Sequence, residues 1–190
     1  IERDTFNHDR VEVLKGSASM LFGKGSTGGV VNQVSTQPFL VTRQEVDLTL
    51  GSGREARLTG DINVRTGEDA ALRVNVLGHH ADNYGARVEK KGIAPTFRWG
   101  IGLRDEFSLG AYYLDTDGRP LYNHPWFLVD GRLKPSLPAK NYYGLASDNL
   151  RTETAYATAS HVHRIDARTE LKTTLRHGRN ERDLWSSVIG

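Results

Sequence analysis

Apolar and polar residues alternate with period two along most of the chain after Arg43, whereas helical periodicity is almost absent. Successive side chains of a β-strand point to opposite faces, so this pattern predicts strands with one apolar and one polar face. In residues 56–65 the apolar positions are Ala56, Leu58, Gly60, Ile62 and Val64. The same alternation recurs in residues 45–50, 72–76, 96–104, 107–113, 154–160 and 170–176, which predicts about seven strands in all.

The connections between these segments differ in length in a regular way. After the first hairpin they run short, long, short, long, short: Thr66–Ala70, His79–Ala94, Arg104–Glu106, Asp115–Leu150 and Arg164–Ala167. Outer-membrane barrels have short periplasmic turns and longer extracellular loops, whereas a soluble sandwich has no reason to gather long loops at one end. The pattern favours an antiparallel transmembrane β-barrel. A soluble β-sandwich that turns its charged face to water stays open at this point.

The alternation also assigns the two faces of the predicted sheet. We expect Arg57 and Arg73 on the concave side, together with residues 11–36 packed against it. The convex, lipid-facing side should carry Leu58, Ile62, Leu72, Val74 and Trp99.

Composition excludes some chemistry without selecting a function. The 190 residues carry a formal net charge of +2, which gives no general case for nucleic acid. There is no cysteine, so disulfide frameworks, thiolate zinc sites and cysteine nucleophiles are excluded. A mean hydropathy of −0.51 would suit a soluble protein. It suits a barrel equally well, because only every second barrel residue faces lipid.

The first 38 residues follow a different pattern. A strand-like run at 11–15 is followed by a turn at Gly16, a helix-compatible segment at 17–22, a glycine-rich bend and an apolar run at 30–34. The bend contains Gly-x-Gly-x-x-Gly at 23–28, but it precedes a strand rather than a helix, unlike a dinucleotide site. A Walker A loop also fails, since Ala18 and Gly25 occupy two of its required positions.

The block Asp9–Gly23, continued by Gly25–Ser35, resembles the last conserved block of the plug domain of TonB-dependent receptors. The stretches Arg3–Asn7, Gly25–Gly29 and Asn141–Asp148 are similar to the catecholate siderophore receptor branch. The resemblance implies an all-β fold: a segment of a larger antiparallel transmembrane β-barrel, preceded by the C-terminal part of an α+β plug. It divides the chain into the plug end, 1–38, and the first barrel strands, 39–190, and we expect a fragment of a larger receptor.

The resemblance implies a receptor and transporter for ferric siderophores in the outer membrane of a Gram-negative bacterium. Its partners would be TonB with the inner-membrane energising complex, the ferric siderophore and outer-membrane lipid, but no nucleic acid. We expect no enzyme and no cofactor, the siderophore being the transported ligand. A soluble binding module, or a receptor for haem, cobalamin or oligosaccharide, is the alternative.

Candidate ligand contacts lie in the two long predicted loops, where aromatic faces and cations can meet flat catecholate rings around an anionic iron centre. The residues are Tyr84, Arg87, Arg119, Tyr122, His124, Trp126, Tyr142 and Tyr143. The alternative is a compact lid in which such aromatics only pack the loop against itself. The resemblance further implies polar plug–barrel contacts by Arg10, Glu12 and Lys15, with lysine where the family usually has arginine. We predict no metal site, although His161 and His163 share one strand face.

Overall fold

All regular structure in the described residues is β-strand. The computed structural model describes residues 3–16, 28–120, 125–135, 137–138 and 140–187, and the helix-compatible segment at 17–22 lies outside them. The strands are β1 (His8–Lys15), β2 (Gly29–Ser35), β3 (Arg43–Gly51), β4 (Glu55–Arg65), β5 (Ala71–Asn83), β6 (Ala86–Trp99), β7 (Asp105–Gly118), β8 (Phe127–Val129), β9 (Arg132–Lys134), β10 (Asn149–Arg164) and β11 (Glu170–Trp185). Within this part of the chain, no helix is long and apolar enough to cross a membrane.

Seven of these strands form one antiparallel sheet in the order β11-β10-β7-β6-β5-β4-β3. The predicted number of strands and the all-β fold are therefore confirmed. Two small hairpins, β1–β2 and β8–β9, stand apart from the sheet. Each strand of the sheet pairs with its neighbours in sequence once the β8–β9 insertion is set aside, so the sheet is a simple up-and-down meander.

The register separates an apolar face from a polar face. Paired residues of adjacent strands point to the same side of a sheet, and one row joins Val64, Leu72, Phe97, Leu109, Ala159 and Leu175. We call this apolar side the outer face. Leu58, Ile62, Leu72, Val74 and Trp99 belong to it, as predicted. No second layer of the described residues covers it, which is not the arrangement of a sandwich.

The opposite side, the inner face, carries the charged residues of the alternation. Arg57 and Arg73 lie on it and contact residues that precede β3, so their predicted side is confirmed. The prediction that residues 11–36 pack against this face is wrong for much of the β1–β2 hairpin, where Val11, Val13 and Val31 are exposed. The contacts come instead from the residues on either side of the hairpin.

One predicted long connection is wrong. Residues 79–94 belong to β5 and β6, which meet at a tight turn of Tyr84 and Gly85 with φ of 51° and 109°. The apolar alternation ends near Gly78, but the backbone ladder continues beyond it, with His80 opposite Glu89 and Asp82 opposite Arg87. Backbone hydrogen bonds do not require apolar side chains, so the strands extend past the apolar zone.

The predicted difference in length between the connections at the two ends of the sheet is present, but it is smaller than expected. At one end of the sheet the turns are 66–70, 100–104 and 165–169, and we call this the short-turn end. At the other end, the turns 52–54 and 84–85 accompany the connection 119–148, which we call the long loop. Only one long loop therefore joins strands of the sheet within the described part of the chain.

The outer face changes in character from one end to the other. Near the short-turn end, Trp99 stacks on Phe97 at 5.5 Å and on Phe107 at 5.4 Å between ring centroids. Toward the long loop, aliphatic residues follow, and then charged pairs such as Arg87 with Asp117 at 3.3 Å. An apolar band with aromatic residues at its border is the surface that outer-membrane barrels present to lipid.

Replacing Leu109 with arginine should make folding into lipid less favourable by about 2–4 kcal/mol, because a cation near the middle of the apolar band loses its hydration. Leu109 lies between Phe107 and Tyr113 on the outer face of β7. Urea-dependent refolding of the full-length protein into lipid vesicles measures the loss. Thr174→Arg, on the inner face of β11, is the control and should cost much less. Equal losses would contradict the assignment of faces.

Candidate ligand-binding loop and inner-face contacts

The N-terminal segment is fastened to the inner face by the carboxylate of Asp4. Arg57 donates two hydrogen bonds to it, from Nη2 to Oδ1 at 2.6 Å and from Nη1 to Oδ2 at 3.2 Å. Lys90 Nζ lies 3.5 Å from Oδ2. The Asp4 side chain is only 7% exposed, so this carboxylate has exchanged water for two cations of the sheet. A paired geometry of this kind is among the stronger polar contacts in proteins.

The environment of Asp4 lowers the pKa of its carboxyl. Burial is the largest single influence and would by itself raise the pKa. The hydrogen bonds and charge of Arg57, together with the charge of Lys90, outweigh it. The backbone NH of Phe6 adds a further hydrogen bond to Oδ1 at 3.2 Å. The carboxylate therefore stays ionised at neutral pH and holds both cations.

Phe6 supplies the apolar half of the same attachment. Its ring stacks on Tyr112 with centroids 5.5 Å apart, and it packs with Leu77, Ala94 and Leu114 in the buried cluster of the inner face. Gly92 makes room for the ring, because a Cβ at this position would lie 2.9 Å from two ring atoms of Phe6. Gly92, in the middle of β6, thus leaves the space into which Phe6, a residue outside the sheet, packs.

A second set of contacts holds the residues between β2 and β3. Thr36 Oγ1 donates to Asn75 Oδ1 at 2.7 Å, and Arg73 Nη1 donates to the carbonyl of Gln37 at 2.9 Å. Asn63, which is almost fully buried, donates to the carbonyls of Phe39 and Val41, both at 2.7 Å. Polar inner-face side chains therefore satisfy an irregular backbone segment that has no strand partner of its own.

The candidate contact residues of the β1–β2 hairpin pair mainly within the hairpin. Arg10 donates to Glu12 at 2.7 Å and to Asp9 at 2.8 Å, while Glu12 accepts from Asn32 at 2.8 Å. Lys15 is exposed at the end of β1. The described polar links between the first 38 residues and the sheet come instead from Asp4, Thr36 and the backbone of Gln37 and Pro38. Asp4 lies in the stretch Arg3–Asn7, whose resemblance to known receptors could have drawn attention to it.

The second half of the long loop folds over the β5–β6 turn. Tyr142 packs against Gly85, where an added Cβ would lie 3.0 Å from the Cβ of Tyr142. The Tyr142 hydroxyl donates to the carbonyl of Pro120 at 3.3 Å. Lys140 places its Nζ 5.2 Å from the ring centroid of Tyr84. The structure therefore brings Tyr84 and Tyr142, two candidate residues distant in sequence, to one place.

The end of the loop is anchored by a buried carboxylate. Asp148 accepts hydrogen bonds from Leu145 N at 3.0 Å, Ser187 N at 3.1 Å and Ser187 Oγ at 2.8 Å. Burial alone would raise its pKa, but these donors and the charge of Arg119 lower the pKa. The loop is thereby fixed to the chain that follows β11, and its end cannot move far from the sheet.

The middle of the loop presents apolar side chains to solvent. A two-residue turn of Asp130 and Gly131, with φ of 53° and 71°, closes the β8–β9 hairpin. Trp126, just before β8, is 60% exposed, and Leu133 on β9 is 67% exposed. The Trp126 side chain therefore presents a large aromatic surface to solvent at the start of the β8–β9 hairpin, and the described residues cover less than half of it.

The remaining candidates divide into three groups. Arg87 pairs with Asp117 at 3.3 Å in a partly exposed ion pair, and its backbone carbonyl accepts from Arg119 N at 2.8 Å. Tyr143 accepts a hydrogen bond from Asn141 at 3.1 Å. Tyr122 and His124 lie outside the described residues. Sequence reasoning missed Lys140, although it directly precedes the stretch Asn141–Asp148.

The sheet and its attached segment define a class. A meander with an apolar outer face and a polar inner face that holds a segment of the same chain has the architecture of the wall of an outer-membrane β-barrel.

Comparison with known proteins shows what the chain is similar to. No family model matches the chain. It is 29% identical to the catecholate siderophore receptor Fiu of Escherichia coli over 205 residues, covering all of this chain and 27% of Fiu. It is 30% identical to the probable TonB-dependent siderophore receptor PiuA of Acinetobacter baumannii, covering 97% of this chain and 26% of PiuA. The crystal structure of Fiu in its open form superposes with a TM-score of 0.87 at 26% identity, over 98% of this chain and 30% of Fiu.

The chain is therefore a homologue of the TonB-dependent siderophore receptors of the Gram-negative outer membrane, and it spans about 27% of the length of the first of these relatives.

Replacing Asp4 with alanine should loosen the N-terminal segment by about 1–3 kcal/mol, because Arg57 and Lys90 would lose the partner that offsets their burial. Hydrogen exchange of residues 3–8 in the full-length protein measures this. Glu12→Ala, which removes only the contacts with Arg10 and Asn32 inside the β1–β2 hairpin, should leave the exchange of residues 3–8 nearly unchanged. Since the folded-state pKa of Asp4 is depressed, its contribution is present above about pH 4 and is lost as pH falls through the lowered value. Exchange of residues 3–8 that is equally fast in both variants would contradict the role of Asp4.

Proposed function

We propose that this chain is the part of a TonB-dependent receptor in which the plug ends and the barrel begins, and that the whole receptor imports a ferric siderophore. Residues 1–38 would form the end of the plug and residues 39–190 the first barrel strands. The observation that carries the proposal is similarity over the whole chain to siderophore receptors, combined with a segment docked on the inner face of a barrel-type sheet. A plug has to lie against the inner face of a barrel, which is the face on which this segment is docked.

The long loop and the β5–β6 turn would capture the ligand. A catecholate siderophore presents flat aromatic rings and an anionic iron centre, which aromatic faces and cations recognise. Tyr84 and Lys140 already form such a cation–π pair at the turn, and Trp126 stands exposed on the neighbouring hairpin. We assign ligand contact to these residues and assign Tyr142, which packs against Gly85, to positioning the loop.

Transport would require the docked N-terminal segment to move away from the inner face while the strands of the barrel stay paired. TonB, energised from the inner membrane, would pull on the plug, and the links that resist would be Asp4 to Arg57 and the polar contacts of Thr36–Phe39. No bond of the ligand is made or broken in such a cycle, so we propose a transporter and no enzyme, with no cofactor besides the carried siderophore. Lipid of the outer membrane would cover the outer face.

Replacing Trp126 with alanine in the full-length receptor should weaken ferric-siderophore binding by about 1–3 kcal/mol, the usual cost of truncating an aromatic anchor at an interface. Fluorescence quenching with a ferric catecholate measures it. Leu133→Ala is the matched control, since Leu133 is an equally exposed apolar residue on the same hairpin. The control should bind normally.

Two outcomes would contradict this placement of the site. Unchanged binding in Trp126→Ala would remove the hairpin from the capture site and leave the loop as a lid. Tighter competition by haem or cobalamin than by any ferric siderophore would replace the ligand class. Tyr142→Ala should lower thermal stability together with binding, which distinguishes positioning from contact.

A further inference from the structure

Three side chains that can bind metal converge on the outer face at the short-turn end. Asp105 Oδ1 lies 2.8 Å from His161 Nε2 and 2.7 Å from His163 Nδ1. One ligand atom from each residue falls within 4.8 Å of the other two. The protein itself leaves these side chains 44%, 39% and 33% exposed, respectively. Asp105 and His163 lie beyond the aromatic border of Trp99 and Phe107, next to the short turns, where an ion can approach from outside the apolar band.

The sheet itself enforces this convergence. His161 and His163 are alternate residues of β10 and therefore share the outer face, and Asp105, at the start of β7, is directly opposite His163 in the register. The imidazole of His161 also stacks on Phe107, with centroids 4.4 Å apart and planes within 4°. Two hydrogen-bonded strands and an aromatic ring thus hold the ligands before any ion arrives, which lowers the ordering cost of binding.

We propose that Asp105, His161 and His163 form a site for a divalent transition-metal ion of the Zn²⁺ type. Two imidazole nitrogens and one carboxylate oxygen are a common three-ligand set for Zn²⁺, with water in the fourth position. Ca²⁺ and Mg²⁺ are disfavoured because these ions take oxygen ligands. An ion would replace the hydrogens now shared between the two rings and the carboxylate, and its charge would offset that of Asp105.

The proposed site is separate from ligand capture. It lies at the opposite end of the strands from the long loop, and on the face away from the docked segment. A siderophore presents its iron already coordinated, so this site would bind a different ion from the periplasmic side. The inference therefore stands or falls independently of the transported ligand.

The test is Zn²⁺ titration of chelator-treated, full-length protein in detergent by calorimetry. Loss of an outer partner alone lowers metal affinity about 10–100-fold, so removing a ligand by His161→Ala should weaken the site by at least about 100-fold. His80→Ala is the matched control. His80 lies on the same face and 3.7 Å from Glu89, but within the described residues that pair belongs to no three-ligand group.

A second variant guards against a folding defect. Asp105→Asn keeps both imidazoles and the shape of the side chain, and should weaken Zn²⁺ binding at least tenfold while the protein refolds normally. Substitution with Co²⁺ should give visible absorption bands that both variants lose and His80→Ala retains. No Zn²⁺ binding by the unaltered protein, equal binding in His161→Ala, or equal loss in His80→Ala would each overturn the proposal.

Discussion

Backbone hydrogen bonding in lipid is the constraint on which the rest of this structure depends. Hydrocarbon offers no partner to an NH or carbonyl group, so a chain that crosses with strands must pair each strand with its neighbours. The seven-stranded meander meets this requirement for its five central strands by joining strands that follow one another in sequence, while β3 and β11 each pair on one side within the described residues. Once the ladder is fixed, each residue has one of two environments, lipid or interior, and the sequence alternates accordingly.

The interior of this wall is held together differently from the core of a soluble domain. The buried apolar cluster is small, with Phe6, Leu77, Ala94, Tyr112 and Leu114 as its members. Around it, guanidinium, amide and carboxylate groups satisfy one another, as in the pair of Arg73 with Asp61 at 2.8 and 2.5 Å. Polar contacts are directional and can be exchanged for water at modest net cost, whereas a large apolar interface cannot. A segment held mainly by such contacts is suited to being released and recovered.

The sequence predicted the features that depend on alternation and could not predict those that depend on the ladder alone. The strands and the side of Arg57 and Arg73 followed from period two, because burial on one face leaves a mark on every second residue. The segment after Gly78 left no such mark on the outer face, where β5 and β6 carry His80, Asp82, Arg87 and Glu89, and the strands continue there through backbone pairing.

The candidate site shows the same division. Aromatic residues in a predicted loop stand out in a sequence, and Tyr84, Trp126 and Tyr142 were chosen as candidates in this way. Lys140 and Asp4 matter because of what they meet in space, Tyr84 in one case and Arg57 in the other, and neither partner is near in sequence. Contacts between distant segments arise from the register of the sheet, which local patterns do not contain.

The contact of Gly85 with Tyr142 couples the residue sizes that two sequence-distant positions can accept. Gly85 has a positive φ and faces the Tyr142 ring so closely that a methyl group would displace it. A larger residue at 85 could persist only with a smaller one at 142, and even then it would strain the turn. The exposed Trp126 and Leu133 side chains are not bound by this restriction, so substitutions there can change the surface of the long loop while Tyr142 keeps its place over the turn.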